Sequence, residues 1–404
     1  MSKEQKLAFS KLSKLKVGAL FMEMGTGKTK VALDLIASKK DKINYILWIC
    51  PFSIKQEIEN EKNKWHPELK VEIVGCETIS QSSAKYLDIY SKVCENKSFI
   101  VVDESLKIKN KDAKRTKRIL KLSEHANYKL ILNGTPLSKN ILDLYTQMEF
   151  LSPKILNMTY NEFKNNYCEY YIRGKLKDKV KKQYNIPHLI SLIKPYIFDC
   201  ELDLGKEKKY YNYYYQIECI EEYEDIKKAF LNFESDIDFF ALTTKLQKYY
   251  CTSEIKVKKM NDVINKINGQ VIVFVKYLDS IPNGEKKIIG DTKVSERKQI
   301  INDFKNNELK VLYITYGCGA FGLNLQNCKN VIFADHTFDY AQRLQAEARI
   351  YRIGQKNDVN YYNLNCECGL DNLIRKCLDK KVSLLDEVKK EIKKKGIKEW
   401  LKII

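Results

Sequence analysis

The sequence predicts an α/β protein: two parallel sheets, each covered by helices on both faces, joined by a more helical middle. Three observations carry this. Short apolar runs that read as strands buried on both faces recur in the first third of the chain and again after residue 270. Helix-like stretches separate them, so strand alternates with helix rather than with hairpin turns. Between about Asn157 and Tyr250 glycine is scarce, lysine is frequent, and more than half of the tyrosines are found.

In order, Ser2 to Leu15 reads as a polar amphipathic helix and Val17 to Met22 as the first strand. The strand runs into Met24-Gly25-Thr26-Gly27-Lys28-Thr29, and Val31 to Ala37 leads out as a helix. Strand, Gly-rich turn and helix form the setting of a phosphate-binding loop. Gly25 and Gly27 let the backbone curl so that N–H groups around Thr26 converge on one anion. The helix N-terminus adds positive potential at the same point. Lys28 is expected to reach the β- and γ-phosphates, and the Thr29 hydroxyl to hold Mg²⁺. The general pattern asks for glycine where this chain has Met22. Gln5, upstream of the loop, is placed to read an adenine edge, or is an ordinary surface residue.

Tyr45 to Cys50 is the second strand, ended by Pro51; Ile54 to Lys64 has helical periodicity, and Val71 to Val74 is a third strand. Ser98 to Val102 is a fourth, and it ends in Asp103-Glu104. Ligands of parallel sheets bind at the carboxyl ends of strands. Asp103 and Glu104 are therefore expected beside Lys28 and Thr29, Asp103 on the metal and Glu104 as the base that aligns an attacking water. Lys107, Lys109, Lys111, Lys114, Arg115, Lys117, Arg118 and Lys121 follow, a run that reads as a solvated helix face or as a phosphate-contacting surface. Tyr128 to Leu132 is a fifth strand, tipped by Asn133-Gly134-Thr135-Pro136.

The second half repeats the alternation: strands at Gln270–Val275, Ile288–Asp291, Val311–Thr315 and Asn330–Ala334, with a helix from Glu296 to Phe304 capped by Ser295. A Gly-rich turn, Gly317 to Leu325, contains Gly322 and Asn324. Gln345, Arg349 and Arg352 follow at four- and three-residue spacing, which puts them on one face of a helix. Cys366, Cys368 and Cys377, with no paired Cys-x-x-Cys and no nearby His, make a poor zinc site. Leu384 to Ile404 is a Lys-rich amphipathic helix, expected as a docked terminal helix rather than a membrane or partner contact.

Composition sets outer bounds. A chain of 404 residues fits two or three domains, and 44% hydrophobic residues suffice for their cores. No apolar run approaches the length of about twenty residues that crosses a membrane, and the N-terminus lacks the apolar segment of a secretion signal. The 12 scattered cysteines read as reduced cytosolic thiols. A net charge of +19 fits a polyanionic partner such as nucleic acid, although a Lys-rich genome would give the same balance.

The order Met-Gly-x-Gly-Lys-Thr, then Asp-Glu-Ser-x-Lys-Ile-Lys-Asn from Asp103, then Gly134-Thr135-Pro136, resembles the helicase-like ATPases of superfamily two, and within them the Swi/Snf-type branch of double-stranded DNA translocases. In that branch the Met22 position is normally acidic. Phe150-Leu151-Ser152-Pro153 resembles its next conserved stretch. Gly317 to Leu325 looks like its fifth motif, and Gln345-Ala346-Glu347-Ala348-Arg349-Ile350-Tyr351-Arg352-Ile353-Gly354-Gln355 like its sixth, the most specific match in the chain. The resemblance runs from about Gln5 to Lys381, loosely in the middle. Two positions depart from the pattern. The acidic motif ordinarily ends in His, which couples hydrolysis to movement through a hydrogen bond toward the third motif; here Leu106 stands in its place. The Arg-rich strip near Ile197-Phe198-Asp199-Cys200 is missing.

The resemblance implies two RecA-like lobes around an ATP cleft with a helical insertion between them: residues 1–155, 156–258 and 259–375, then a basic tail over 376–404. It implies ATP and Mg²⁺ as cofactors, and catalysis by Lys28, Asp103, Glu104, Gln345, Arg349 and Arg352. Nucleotide contacts fall to Gly25, Thr26, Gly27, Lys28, Thr29, Gln5 and Gly322. Nucleic-acid contacts fall to Lys107, Lys109, Lys114, Arg115, Arg118, Thr135 and Asn324. The function it implies is ATP-driven movement on duplex DNA; a cytoplasmic monomer is expected, and the small size points to a bacterial, phage or other viral origin. A strand-separating DNA or RNA helicase and a nucleic-acid scaffold or loader with a weak ATPase are the alternatives.

Overall fold

Five of the six residues of β1 (Val17–Met22) are buried, as are five of the six of β2 (Tyr45–Cys50). Strands of this kind need cover on both faces, and the computed structural model of the chain provides it. It describes residues 1–134, 141–170, 180–228, 236–319, 323–380, 384–402 and 404. Two units separate, Met1–Leu202 and Asp203–Ile404.

In the first unit β1 and β2 join β3 (Val71–Gly75), β4 (Ser98–Asp103) and β5 (Tyr128–Asn133). An antiparallel ribbon follows, β6 (Cys168–Tyr170) with β7 (Val180–Gln183), and then β8 (Ile197–Cys200). The sheet order is β3-β2-β4-β5-β1-β8, all parallel. Alternate residues feed two apolar layers. Ala19, Leu47, Ile100, Val102 and Ile131 face one; Leu20, Trp48, Phe99, Val101 and Leu132 face the other. The helices that matter for the site are α1 (Lys3–Leu12), α2 (Lys28–Ala37), α3 (Lys55–Trp65), α4 (Cys76–Gln81), α5 (Ser83–Glu95), α6 (Lys114–Ser123) and α7 (Tyr145–Leu151). The register sets Asp103 against Leu132 and Phe21 against Asn133, so β1, β4 and β5 end together.

The second unit holds β9 (Lys208–Tyr215), β10 (Val271–Val275), β11 (Lys287–Ile288), β12 (Val311–Thr315), β13 (Asn330–Phe333) and β14 (Val359–Cys366). Their order is β11-β12-β10-β13-β14-β9, again all parallel. Among the described residues no helix is long and apolar enough to cross a membrane.

The middle of the chain departs from the expected helical insertion over 156–258. It divides at Leu202 and gives an edge strand to each sheet. β8 lies along β1, and all eight residues of β9 pair with β14. Polar composition concealed β9, whose first five residues are exposed. Its tyrosines gain their packing from neighbours: Tyr210 stacks on Tyr361 at 5.1 Å and Tyr211 on Tyr362 at 5.0 Å. The expected tail over 376–404 belongs to the second unit's core. Trp400 and Val388 are buried there, and the Tyr223 hydroxyl donates to the Ile404 carbonyl at 2.8 Å. Ser295 caps nothing: the helix begins at Val294, with Lys293 at its cap position and no side-chain cap bond.

Candidate nucleotide site

The loop between β1 and α2 is shaped by two left-handed glycines, Gly25 at φ 84° and Gly27 at φ 81°. A side chain would be strained at either. Gly27 is also the cap residue of α2, which has no side-chain cap, so the first N–H groups of the helix face outward at the loop. Lys28 and Thr29 follow as its first two residues.

Thr26 points the other way. It is buried, and its hydroxyl donates to the Glu23 carbonyl at 2.7 Å. Its own carbonyl accepts from Gln5 Nε2 at 2.9 Å. Gln5 is buried too, and its Oε1 accepts the Ser2 N–H at 2.9 Å in a capping box that starts α1. In this structure Gln5 props the loop from behind rather than presenting its amide to a base. Glu23 was not singled out in the sequence. Its carboxylate accepts the Leu202 N–H at 2.7 Å, and its own N–H donates to the Cys200 carbonyl at 2.9 Å, fastening the loop to the end of β8.

Asp103 ends β4 and is 7% exposed. Burial pushes its carboxyl up to about 7, the charge of Glu104 adds to this, and Lys28 pulls it down. The charge of the loop lysine therefore reaches the strand-end acid. A bound cation would relieve the cost of burying that acid, and the Thr29 hydroxyl and Asp103 carboxylate are the hard oxygen donors Mg²⁺ takes. Glu104 stands in the left-handed region at φ 51°, ψ 56°, a conformation that costs a non-glycine residue roughly 1–3 kcal/mol and persists where its surroundings enforce it. Its N–H donates to Asp103 Oδ1 at 2.9 Å, and its carbonyl accepts from the Lys107 N–H at 2.9 Å. Gly134, at the tip of β5, lies against the loop: a Cβ there would meet Met24 Cγ at 3.4 Å. Thr135 lies outside the described residues.

Behind Glu104 is a pair the sequence reading missed. Ser105 and Gln147 are fully buried, and the Ser105 hydroxyl donates to Gln147 Oε1 at 2.6 Å. The available signal was a glutamine set among the apolar residues of α7.

The basic run splits into two kinds of residue. Lys107 and Lys114 are exposed, and Lys109 and Arg115 are half-buried. Arg118 is structural. Its Nη1 donates to the Ile79 carbonyl at 2.7 Å, its Nη2 donates to Ser83 Oγ at 2.7 Å, and the guanidinium lies 4.7 Å from the Tyr86 ring centre. It clamps the junction of α4 and α5, so the expected phosphate contact at Arg118 is withdrawn.

In the second unit Gln345 lies on the helix Tyr340–Glu347, which ends before the two arginines. The expected single helical face is therefore not formed. The Tyr361 hydroxyl donates to the Glu347 carbonyl at 3.0 Å, and the Leu325 N–H donates to the Arg349 carbonyl at 3.2 Å, so the chain leaves the helical path in turns. Arg349 is held back toward Gln345, its Nε donating to the Gln345 carbonyl at 3.1 Å. Asn324 is half-buried before β13, and Gly322 lies outside the described residues.

The SNF2-related domain matches residues 8–273, about two thirds of the chain, and the helicase conserved C-terminal domain matches residues 255–354. The chain belongs to the SNF2-related family. It is a Swi/Snf-type helicase-like protein of superfamily two, built on two parallel sheets. The bovine (Bos taurus) DNA annealing helicase and endonuclease ZRANB3 is 23% identical over 90% of this SNF2-related chain. The uncharacterized ATP-dependent helicase MG018 of Mycoplasma genitalium is 24% identical over 95%. The chain spans only 38% and 40% of those two proteins. The solved Sulfolobus solfataricus SWI2/SNF2 ATPase core in complex with dsDNA is similar at 22% identity and a TM-score of 0.44, over 93% of this chain and 90% of that one.

Proposed function

We propose that this SNF2-related protein is a nucleic-acid-stimulated ATPase that moves along double-stranded DNA. One observation carries the reading: Asp103, raised by burial and drawn down by Lys28, ends β4 beside the loop, with Glu104 held next to it in a strained backbone. The names of the relatives, ATP-dependent helicase and DNA annealing helicase among them, support it.

The chain's own groups would divide the work as follows. The loop N–H groups and Lys28 bind and neutralise phosphate oxygens. Thr29 and Asp103 hold Mg²⁺, which when bound shields the β- and γ-phosphates. Glu104 orients a water and accepts its proton. Arg349 and Arg352 stabilise charge on the transferred phosphoryl group, and Gln345 supports them. Lys107, Lys109, Lys114, Arg115 and Asn324 contact the nucleic acid, chiefly its phosphates, so binding is sequence-tolerant and salt-sensitive. The protein acts as a monomer in a cytoplasm.

The test is ATP turnover measured in parallel with duplex DNA, single-stranded DNA and RNA, followed by triplex displacement beside duplex unwinding. Duplex DNA should stimulate most, and triplex should be displaced without unwinding. Stimulation by single strands together with unwinding would make it a helicase instead. Turnover indifferent to every nucleic acid would leave a binding scaffold.

A further inference from the structure

We propose that Ser105 is the positioning residue for Glu104, and that its buried bond to Gln147 supplies, in this chain, the link between the acidic strand end and the rest of the unit that Leu106 cannot make. The inference rests on the nucleotide-site assignment and names a device within it.

The geometry is local. Glu104 sits in a backbone region that its own side chain disfavours, and the next residue decides whether it stays there. Ser105 opens a short 3₁₀ turn to Ile108 and is fully buried. Its hydroxyl donates to Gln147 Oε1 at 2.6 Å, and Asn133 Nδ2, at the end of β5, donates to the same hydroxyl at 3.5 Å. Gln147 is fixed in turn, its Nε2 donating to the Asp143 carbonyl at 2.7 Å. The neighbouring Thr146 hydroxyl donates to the Ile108 carbonyl at 2.6 Å. α7 therefore grips both ends of the turn that follows Glu104.

Three elements meet at one hydroxyl: the end of β4, the end of β5 and α7. Both partners are fully buried, so removing one leaves the other as an unsatisfied polar group in the interior, which is costly. Leu106, half-buried and apolar, has no group to offer. Any shift of α7 or of the β5 tip is thus carried to the Glu104 backbone through Ser105, and the carboxylate turns with it.

The test uses the full chain, with ATP cleavage in single turnover, affinity for a nucleotide analogue, and thermal melting. Ser105→Ala and Gln147→Met each remove one side of the bond, and Gln147→Met keeps the side-chain volume. Each should slow cleavage by at least tenfold while changing nucleotide affinity less than twofold. In a Glu104→Gln background, where the base is already gone, neither should slow residual cleavage by more than twofold. A folded Ser105→Ala or Gln147→Met protein that cleaves at the wild-type rate overturns the proposal. An equal loss in both backgrounds overturns it too, since the effect would then not pass through Glu104. If Ser105→Ala fails to fold, Gln147→Met decides. A normal rate in Glu104→Gln brings down the nucleotide-site assignment along with this inference; a normal rate in Ser105→Ala beside an inactive Glu104→Gln brings down this inference alone.

Discussion

Asp103 in the first unit and Asp335 in the second are both buried acids just past or at the end of a central parallel strand, and they are treated in opposite ways. Asp335 is consumed by its surroundings. One oxygen faces Lys256 Nζ at 2.9 Å, with both side chains wholly buried, although the pair lacks the aim of a hydrogen bond. The other accepts the N–H groups of Lys276 at 2.7 Å and Tyr277 at 3.3 Å. Asp103 accepts the Glu104 N–H, and burial still raises it to about 7. The two acids thus differ in the charge supplied to them: Asp335 has a buried cation beside it and closes a core, whereas at Asp103 burial outweighs the pull of Lys28.

The largest effects should come from residues assigned to phosphoryl transfer. Arg349→Ala or Arg352→Ala should lower DNA-stimulated ATP turnover by about 10³–10⁵, the worth of an arginine that stabilises a transferred phosphoryl group, with DNA affinity little changed. Arg→Lys should rescue poorly, because a point charge lacks the planar fork. Normal stimulated turnover in both alanine variants would leave all the chemistry to the first unit and dissolve the division of labour.

Acid-to-amide changes test the comparison directly. Asp335→Asn leaves Lys256 as a buried cation without its counter-charge and should cost about 3–5 kcal/mol. Asp103→Asn removes a burial cost, so its melting temperature should hold or rise while turnover is lost. Equal destabilisation in a denaturant titration of both would mean that Asp103 is structural after all.

The sequence made the strands and the loop legible because buried parallel strands are continuous apolar runs and because glycines with Lys-Thr announce a phosphate loop. It marked Lys28 through the Gly-rich loop, and Asp103 and Glu104 through the end of β4. It concealed what depends on partners distant in sequence. β9 is polar yet paired along its whole length, and its exposed tyrosines rest on β14. Arg118 looks like its neighbours in the basic run, and only the fold brings the α4–α5 junction to it. The regular spacing of Gln345, Arg349 and Arg352 suggested a longer helix because spacing carries no sign of the contacts from Leu325 and Tyr361 that end it.

The basic run separates cations that hold the fold from cations left to solvent. Lys107→Glu with Lys114→Glu should weaken duplex binding and reduce the salt dependence by about two phosphate contacts. Arg118→Ala should leave that slope unchanged and destabilise the first unit by about 1–3 kcal/mol, through unsatisfied carbonyls. A lower slope in Arg118→Ala would return this residue to the DNA-contacting set.

The smallest effect concerns histidines, and it again sets one unit against the other. His336 is buried in the second unit; burial first, and then Arg343, push it down to about 4, so it stays neutral near physiological pH. His66 follows α3 in the first unit and lies between two carboxylates, Asp34 at 2.7 Å and Glu68 at 2.9 Å. Burial works against its protonation, but the hydrogen bonds to Asp34 and Glu68 outweigh this and raise its pKa above the usual value. Because the folded pKa is the higher one, the contribution is fully present below about pH 6.5 and is lost as pH rises through the folded value. A partly exposed pair of this kind is worth about 0.2–1 kcal/mol, hence a loss of about 0.4–4 °C in melting temperature for a unit of this size. Asp34 belongs to α2, so the loss should loosen the docking of α3 on the helix that carries Lys28. Hydrogen exchange of α2 and α3 measured on both sides of this window reads it, and His66→Gln should abolish the difference. A pH response unchanged in His66→Gln would assign it to other groups and remove His66 from the comparison.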